Sequence, residues 1–415
     1  MKSGYLQPAR ILRCRLPPGD WRGISSLPDD ANPEALSSRA RNLHFNSLVI
    51  DTHVDTTQRL LDHRFDLAHR HPDGSVDIPR LREGGVSAIF FAVWTPGTVT
   101  GPAAVKRALD QIEAVRRQID LHPGDLTLAT TAQDIREARA GGRIAILLGI
   151  EGGHLIDSDL GVLARYHSLG ARYMTLTHTL NVEWADASTD KPAHNGLTDF
   201  GRQVIRQMNR AGMMVDISHV SDKTFHDALA VSAAPLVATH SSCRALCDAP
   251  RNLSDEMIRQ LAAKGGVVQI NFHAGFLSEA FRSAMKADPR IDEEIDRRID
   301  ELCGKDHACR LLEADKMIRE LVAQGKLPRV EWTEILDHID YAVKLVGADH
   351  VGLGSDFDGA DMPYGMDDAS YLPRITEALL KKGYSESDTE KILGGNMLRL
   401  MQDVEAIASK LEGTP

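Results

Sequence analysis

Short apolar runs alternate with amphipathic stretches from about residue 47 onward, a pattern that predicts parallel strands joined by helical crossovers. The apolar runs lie at residues 48–55, 86–94, 143–153, 171–178, 213–220, 235–242, 265–273 and 350–359. Eight parallel strands form a closed, TIM-type (β/α)8 barrel, which is the α/β fold that we predict. A doubly wound open sheet could also use eight strands, but it usually carries a glycine-rich phosphate loop after the first one. The segment IDTHVDTTQ at this position is not such a loop.

The remaining segments define the predicted domain organisation. Residues 1–44 are rich in Pro, Arg and Ser and are read as an N-terminal arm or cap, residues 45–402 as the barrel, and residues 403–415 as a C-terminal tail. Residues of about 275–345 separate the seventh and eighth runs and are dense in charge. We interpret this stretch as a helical insertion, a hairpin with Cys303 and Cys309 near its turn. These two cysteines can pair in an oxidising compartment or remain thiols.

Composition and charge exclude some classes of binding partner but say little about the fold. The 415 residues are 42% hydrophobic and carry a formal net charge of −11, which is ordinary for a globular chain and argues against nucleic acid or an anionic membrane as partner. No apolar run reaches the ~18 residues of a membrane span. The start lacks the apolar core of a secretory signal and the end lacks a hydrophobic anchor tail. The sequence as written therefore predicts a cytoplasmic protein, with export left open.

Ionisable residues gather where the predicted strands end, which is where active sites of this barrel lie. His53 and Asp55 are two residues apart on the first strand, so their side chains point to the same face and can reach one cation. Glu151 follows an apolar run and precedes two glycines, and a buried carboxylate needs a partner or a metal. His219 and His240 end consecutive strands and are expected to be neighbours. Together these residues predict a metal site.

Further candidates for chemistry lie in the loops after the strands. Asp356, in the segment GLGSDFDG, can accept and return a proton beside a metal-bound water, and Asp358 competes for the same role. His178 can donate a hydrogen bond to a developing oxyanion, or it is a residue that only supports the site. Arg251 is a candidate clamp for a substrate carboxylate because guanidinium binds carboxylates in a bidentate manner.

An ordered set of segments resembles the membrane (renal) dipeptidases, peptidase family M19 of the amidohydrolase superfamily, and in particular its bacterial members. The segments are IDTHVD, GIEGGHLI, RYMTLTHTLNVEWADAS, VDISHVSDKTF, ATHSSCRALCDAPRN, VGLGSDFDG and GGNMLRL, which span roughly residues 45–402. The resemblance implies two zinc ions per subunit: one held by His53 and Asp55, the other by His219 and His240, with Glu151 bridging both.

The resemblance also implies the roles of the remaining residues. Asp356 would be the catalytic proton carrier, His178 would contact the scissile carbonyl or the tetrahedral intermediate, and Arg251 would bind the terminal carboxylate of the substrate. The implied partner is a small dipeptide, and the implied assembly is a homodimer. Animal members carry a signal peptide and a lipid anchor, which this sequence does not display.

The predicted function is therefore a zinc dipeptidase that hydrolyses L-Xaa-L-Xaa and L-Xaa-D-Xaa dipeptides with a hydroxide bridging the two metals. Water between two cations loses a proton near neutral pH, and Glu151, His178 and Asp356 would complete the catalytic set. The alternative is another binuclear amidohydrolase that acts on N-acyl amino acids or cyclic amides, because a shared fold does not determine the substrate. A metal-binding protein without activity is the remaining alternative.

Overall fold

The strands of the barrel lie within the eight apolar runs of the sequence. The structure, a computed structural model, describes residues 36–63 and 65–412, so residues 1–35 of the predicted arm lie outside the described residues. The strands are β1 (Val49–Val54), β2 (Val86–Trp94), β3 (Leu126–Leu128), β4 (Ile144–Glu151), β5 (Ala171–Thr175), β6 (Met214–Asp216), β7 (Val237–Ala238), β8 (Val267–Ile270) and β9 (Val351–Leu353). Only β3 was not predicted.

The strands pair in parallel in the order β1-β2-β4-β5-β6-β7-β8-β9, and β3 pairs beside β4. The barrel closes between its first and last strands. Val54 forms a parallel bridge with Phe357, and the amide of Asp55 donates to the Phe357 carbonyl at 2.8 Å. The amide of Asp356 donates to the His53 carbonyl at 3.0 Å. These bonds confirm the TIM-type barrel.

Helices connect the strands and surround the barrel. They are α1 (Ser38–Asn46), α2 (Thr56–Asp62), α3 (Ile78–Glu83), α4 (Gly101–Leu121), α5 (Ala132–Ala140), α6 (Leu160–Ser168), α7 (Asp199–Ala211), α8 (Asp222–Val231), α9 (Asp255–Ala263), α10 (Ala274–Leu277), α11 (Glu279–Ala287), α12 (Arg290–Cys303), α13 (His307–Ala323), α14 (Thr333–Val346), α15 (Pro373–Lys381), α16 (Glu386–Glu390) and α17 (Asn396–Glu412). Helix α17 thus includes most of the predicted tail. Not one of the described helices has both the length and the apolar character needed to cross a bilayer.

Local sequence signals explain where these helices begin and end. The hydroxyl of Thr198 accepts a hydrogen bond from the Gly201 amide at the start of α7, and Gly212 ends the helix with φ 71°. Thr131 and Asp134 form a reciprocal capping box at the start of α5. Such caps satisfy amide groups that would otherwise lack partners in the first turn.

Side chains along β2 and β4 alternate between two buried clusters, as the two-residue period of a strand requires. Phe90 and Leu147 belong to an inner cluster with Tyr173, to which α17 contributes Met397 and Leu400. Their neighbours along β2 and β4 belong to the larger outer cluster between the strands and the helices. The barrel interior below the mouth is therefore filled mainly with apolar side chains.

The predicted insertion between the last two strands of the barrel is helical and comprises α10–α14. Cys303 ends α12, Cys309 lies in the first turn of α13, and the two form a disulfide. Cys243 and Cys247, whose CxxxC spacing is weak grounds for a structural zinc site, are buried free thiols.

Candidate metal centre

The ligand-type side chains predicted from the strand ends converge at the mouth of the barrel. Glu151 is the last residue of β4, whereas His219 and His240 follow β6 and β7 by three and two residues. His53 lies in β1 and Asp55 follows it directly. All five are buried, the most exposed retaining 8% of its surface. The structure therefore brings these five side chains together at one end of the barrel.

Glu151 lies at the centre of this cluster, and its two carboxylate oxygens face different neighbours. Oε2 lies 3.4 Å from His53 Nε2. Oε1 lies 3.0 Å from His219 Nε2 and 3.4 Å from His240 Nε2. The two histidine nitrogens on that side are 3.0 Å apart. This arrangement allows one carboxylate to serve two adjacent cations.

The His53 side of the cluster contains two further carboxylates. Asp55 Oδ2 and Asp356 Oδ1 each lie 3.9 Å from His53 Nε2. Ligand atoms of these three residues lie within 4.8 Å of one another, as do those of His53, Glu151 and His240 and those of Glu151, His178 and His219. The buried Asp55 and Glu151 and the partly exposed Asp356 therefore surround one imidazole nitrogen.

The electrostatics of this cluster favour positive charge at its centre. Burial opposes a charge on His53, yet Glu151, Asp55 and Asp356 together raise its pKa to about 10. Burial and the neighbouring Glu151 raise the pKa of Asp55 well above its usual range. Burial also lowers the pKa of His219 and of His240, so both rings are available as neutral donors of a nitrogen lone pair.

Unsatisfied polar atoms indicate what is needed to complete the cluster. His53 Nε2 and Asp55 Oδ1 are buried and have no hydrogen-bond partner, which is costly in a protein interior. Imidazole nitrogens and carboxylate oxygens are the donor set that zinc and neighbouring divalent metals prefer. The residues present therefore fit a pair of divalent cations.

The second nitrogen of two of the three candidate ligand histidines, His53 and His240, lies beside a buried hydroxyl. His53 Nδ1 lies 2.9 Å from the hydroxyl of Tyr173. His240 Nδ1 lies 2.8 Å from Thr239 Oγ1, which donates to Asp216 Oδ2 at 2.7 Å. Because the Thr239 proton points to Asp216, the threonine oxygen must accept from His240 Nδ1–H. His240 therefore presents an unprotonated Nε2 to the cluster, the tautomer that binds a metal.

The backbone at the mouth adopts unusual conformations beside the candidate ligands. His219 and Asp356 adopt left-handed φ values of 69° and 67°, an uncommon conformation that clusters at functional sites. A Cβ atom at Gly359 would lie 1.7 Å from Asp55 Oδ2. Only glycine allows the backbone to approach this carboxylate so closely.

The predicted substrate-contacting residues line the same mouth. His178 Nε2 lies 3.6 Å from Glu151 Oε1, and its ring lies 4.7 Å from that of His219. Arg251 retains 5% of its surface and contacts the His240 carbonyl at 3.2 Å and Ser241 Oγ at 3.4 Å. Burial lowers the pKa of this guanidinium to about 10.

Asp356 and Asp358, which sequence order alone did not separate, face different surroundings. Asp358 Oδ1 accepts from the Ser75 amide at 2.7 Å, and Oδ2 accepts from Thr56 Oγ1 at 2.7 Å. Arg59 lies 3.4 Å from the same carboxylate. Asp358 therefore binds protein groups outside the cluster, and Asp356 is the carboxylate of the pair that faces the ligands.

Two neighbours of the site were not predicted from the sequence. Asn271, directly after β8, donates from Nδ2 to Asp356 Oδ2 at 2.8 Å, while its Oδ1 accepts from the His273 amide at 2.6 Å. Trp94 ends β2 in register with Glu151, and its ring lies 5.4 Å from that of His178. Position at a strand end was the available signal for both, but neither residue type is characteristic of a metal ligand.

Comparisons with known proteins identify the family of this chain. The model of the family "Membrane dipeptidase (Peptidase family M19)" matches residues 37–414. Dipeptidase 3 of Rattus norvegicus is 31% identical over 351 residues, which cover 83% of this chain and 62% of that protein. The chain thus spans about three fifths of the length of this relative.

Solved structures of similar proteins share the fold over nearly the whole barrel. The probable dipeptidase PvdM from Pseudomonas aeruginosa has a TM-score of 0.74 and 27% identity, with 89% of this chain and 98% of that chain covered. A metallo peptidase from Rhodobacter sphaeroides, liganded with a phosphinate mimic of the dipeptide L-Ala-D-Ala, has a TM-score of 0.71 and 26% identity over 86% of this chain and all of that one. The chain belongs to the membrane dipeptidase family, peptidase family M19.

Proposed function

We propose that this protein is a dipeptidase that uses two zinc ions per chain. Membership of a metallopeptidase family implies a metal cofactor. The observation that carries the proposal is the position of Glu151, whose Oε2 faces His53 and whose Oε1 faces His219 and His240. One ion would be held by His53 and Asp55 and the other by His219 and His240, with Glu151 bridging them. When bound, the ions supply Lewis acidity, which activates water and polarises the scissile carbonyl.

Asp356 is proposed to carry the proton during hydrolysis. Burial would raise its pKa, but His240 and His53 lower it, so the group is a carboxylate base near neutral pH. Asn271 donates to Oδ2, and the Asn271 amide cannot reverse because its own Oδ1 is bound by the His273 amide. Asp356 Oδ1 is therefore the oxygen that takes the proton from the attacking water and returns it to the leaving amine.

His178 is proposed to hold the oxyanion that develops on the scissile carbonyl. Its ring is kept in place by the rings of His219 and Trp94, at 4.7 and 5.4 Å. Nε2 points towards Glu151 and can donate a hydrogen bond from the neutral imidazole. A preorganised donor of this kind stabilises charge only where it forms in the transition state.

Arg251 is proposed to bind the C-terminal carboxylate of the dipeptide. The guanidinium is buried, and no described carboxylate lies within ion-pair distance of it; its hydrogen-bond partners are neutral oxygens. A buried cation without a counter-ion is costly, and a substrate carboxylate would supply that counter-ion. A clamp at this position limits substrate length and favours dipeptides over longer chains.

The substrates proposed are L-Xaa-L-Xaa and L-Xaa-D-Xaa dipeptides. The Rhodobacter protein of similar fold binds a mimic of L-Ala-D-Ala, which supports the second class. A homodimer is proposed from family resemblance, and sedimentation of the purified chain tests it.

The experiment that tests the function is a substrate panel on zinc-loaded protein, with L,L- and L,D-dipeptides, N-acyl amino acids and dipeptide amides. We expect turnover of free dipeptides, and preferred turnover of N-acyl amino acids would instead favour another amidohydrolase. Arg251→Met should raise KM for free dipeptides by about 10- to 100-fold, which corresponds to the free energy of a hydrogen bond between charged groups. An equal effect on dipeptide amides would remove Arg251 from the proposed role.

A further inference from the structure

The insertion reaches the mouth of the barrel at the turn between α12 and α13, residues 303–309. His307 begins α13, and its ring lies 6.3 Å from that of Trp94. Trp94 in turn contacts the ring of His178. A continuous row of rings therefore runs from the candidate metal centre to the first residue of α13.

Three contacts hold this turn in place. Asp306 accepts from the Cys309 amide at 2.9 Å, and its carboxylate lies 3.0 Å from His63 Nε2. His63 follows α2, which begins directly after Asp55. The Cys303–Cys309 disulfide closes the turn on its other side. The turn is thus attached both to itself and to the helix that follows a proposed metal ligand.

The position of this row relative to Arg251 follows from the strand order. In the closed ring of eight strands, β2 lies four strands from β7 in either direction. Trp94 ends β2, and Arg251 contacts the residues that follow β7. The two therefore lie on opposite sides of the mouth. A dipeptide whose carboxylate is bound by Arg251 would direct its N-terminal residue towards Trp94.

The chemistry of the row suits an apolar or aromatic side chain. Burial lowers the pKa of His307, as does the nearby Arg107, so the ring is largely uncharged at neutral pH. Trp94 and His307 are each only partly buried, which leaves ring surface available. Aromatic rings attract other rings and large apolar groups when these are desolvated together.

We propose that His307 and Trp94 form the subsite for the side chain of the N-terminal residue, and that the Cys303–Cys309 disulfide holds His307 in that position. The subsite takes large apolar or aromatic side chains. This inference rests on the proposed dipeptidase function and on the proposed role of Arg251. His307 is a specificity-determining residue supplied by the insertion, distinct from the residues of the metal centre.

The test compares kcat/KM for L-Phe-L-Ala with that for Gly-L-Ala, and uses the ratio as the readout. His307→Ala should lower this ratio about fivefold, mainly through KM, which is the weight of one aromatic contact. His307→Phe should restore it. The ratio of L-Ala-L-Phe to L-Ala-Gly, which reports the other end of the substrate, should stay unchanged. The matched control is His226→Ala, an exposed histidine on α8 that contacts Gln260.

The disulfide is tested separately. The double substitution Cys303→Ser with Cys309→Ser should lower the L-Phe-L-Ala to Gly-L-Ala ratio in the same direction, and a phosphine reductant should do so for the native chain but not for the double variant. An unchanged ratio in both His307→Ala and the double variant, at native zinc content, overturns the inference. So does an equal change at the C-terminal residue. Absence of dipeptide turnover by the native chain instead refutes the proposed function.

Discussion

The hydroxyl of Tyr173 is predicted to strengthen metal binding by orienting His53, a proposed metal ligand. Its ring lies in the inner cluster, fully buried, and its hydroxyl is 2.9 Å from His53 Nδ1. Burial raises the pKa of this phenol well above its usual range, so it stays neutral and can accept a hydrogen bond from Nδ1–H. A Cβ atom at Gly149 would lie 1.9 Å from Tyr173 Cζ, which shows how closely the ring passes the neighbouring strand.

Tyr173→Phe removes the hydroxyl while keeping the ring. The Nδ1–H of the fully buried His53 then lacks a partner, which costs about 1–3 kcal/mol. Loss of such an outer hydrogen bond typically weakens metal binding by about 10- to 100-fold. We expect a loss of zinc affinity within this range, measured by competition with a calibrated chelator.

The matched control is Tyr166→Phe. Tyr166 is also fully buried, and its hydroxyl donates to the Leu155 carbonyl at 2.8 Å, so its removal costs stability without touching a proposed ligand. Zinc affinity of Tyr173→Phe within twofold of the native chain would show that the Tyr173 hydroxyl does not support metal binding at His53. An equal loss in Tyr166→Phe would attribute the effect to general destabilisation.

Three further predictions concern separate parts of the molecule. Gly359→Ala should displace Asp55, because the added carbon would lie 1.7 Å from its Oδ2. Zinc titration should then show at least a tenfold loss of affinity for one ion, roughly the effect of disturbing the groups around a ligand; unchanged affinity for both ions would contradict this. Asp356→Asn should keep its zinc content but lose dipeptide turnover by about 100-fold or more, the usual weight of a general acid–base, whereas retained turnover would remove Asp356 from proton transfer. Burial lowers the pKa of His44 to about 4, so between pH 6.5 and pH 4 only the unfolded chain binds a proton at this residue, and the metal-free fold loses stability as the pH falls. From pH 7 to pH 5 the loss amounts to about 2 kcal/mol in the free energy of unfolding. His44→Gln should remove this part of the pH dependence of urea unfolding, and an unchanged dependence would assign it to other groups.

The barrel could be predicted from the sequence because its strands are buried on both faces. Runs such as VSAIFFAVW and RIAILLGIEGG have no polar alternation, and their strands, β2 and β4, are completely or almost completely buried. The segment Leu126–Leu128 was missed because three residues carry too little pattern to separate a strand from a loop. The positions of the metal-ligand candidates followed from the fold, since polar residues at the ends of parallel strands must meet at one rim.

The supporting residues could not be predicted in the same way. Tyr173 reads as an ordinary inward residue of β5, and its contact with His53 depends on how β1 and β5 face each other across the barrel. Asn271 orients Asp356 from a different strand. The choice between Asp356 and Asp358 also required the structure, because the chain reverses with left-handed φ values at both positions. Such contacts join residues remote in sequence and leave no periodic signal.

For the insertion, too, the sequence predicted the local structure but not the contacts with distant segments. Its helices and the position of its cysteines near a turn followed from charge and apolar spacing. That the turn lies against Trp94 and His63 depends on packing between distant segments. A specificity role for His307 could therefore be inferred only once the barrel and the insertion were seen together.

The proposed role of Glu151, as a bridge between two zinc ions at the barrel mouth, can be tested by crystallography. Crystals of the zinc-loaded chain, with anomalous diffraction recorded on both sides of the zinc edge, test it most directly. We predict two zinc peaks per chain, about 3.5–4 Å apart as in other two-metal sites, one beside His53 and Asp55 and one beside His219 and His240, with the Glu151 carboxylate between them. A single peak, or two peaks that do not share Glu151, would contradict the account.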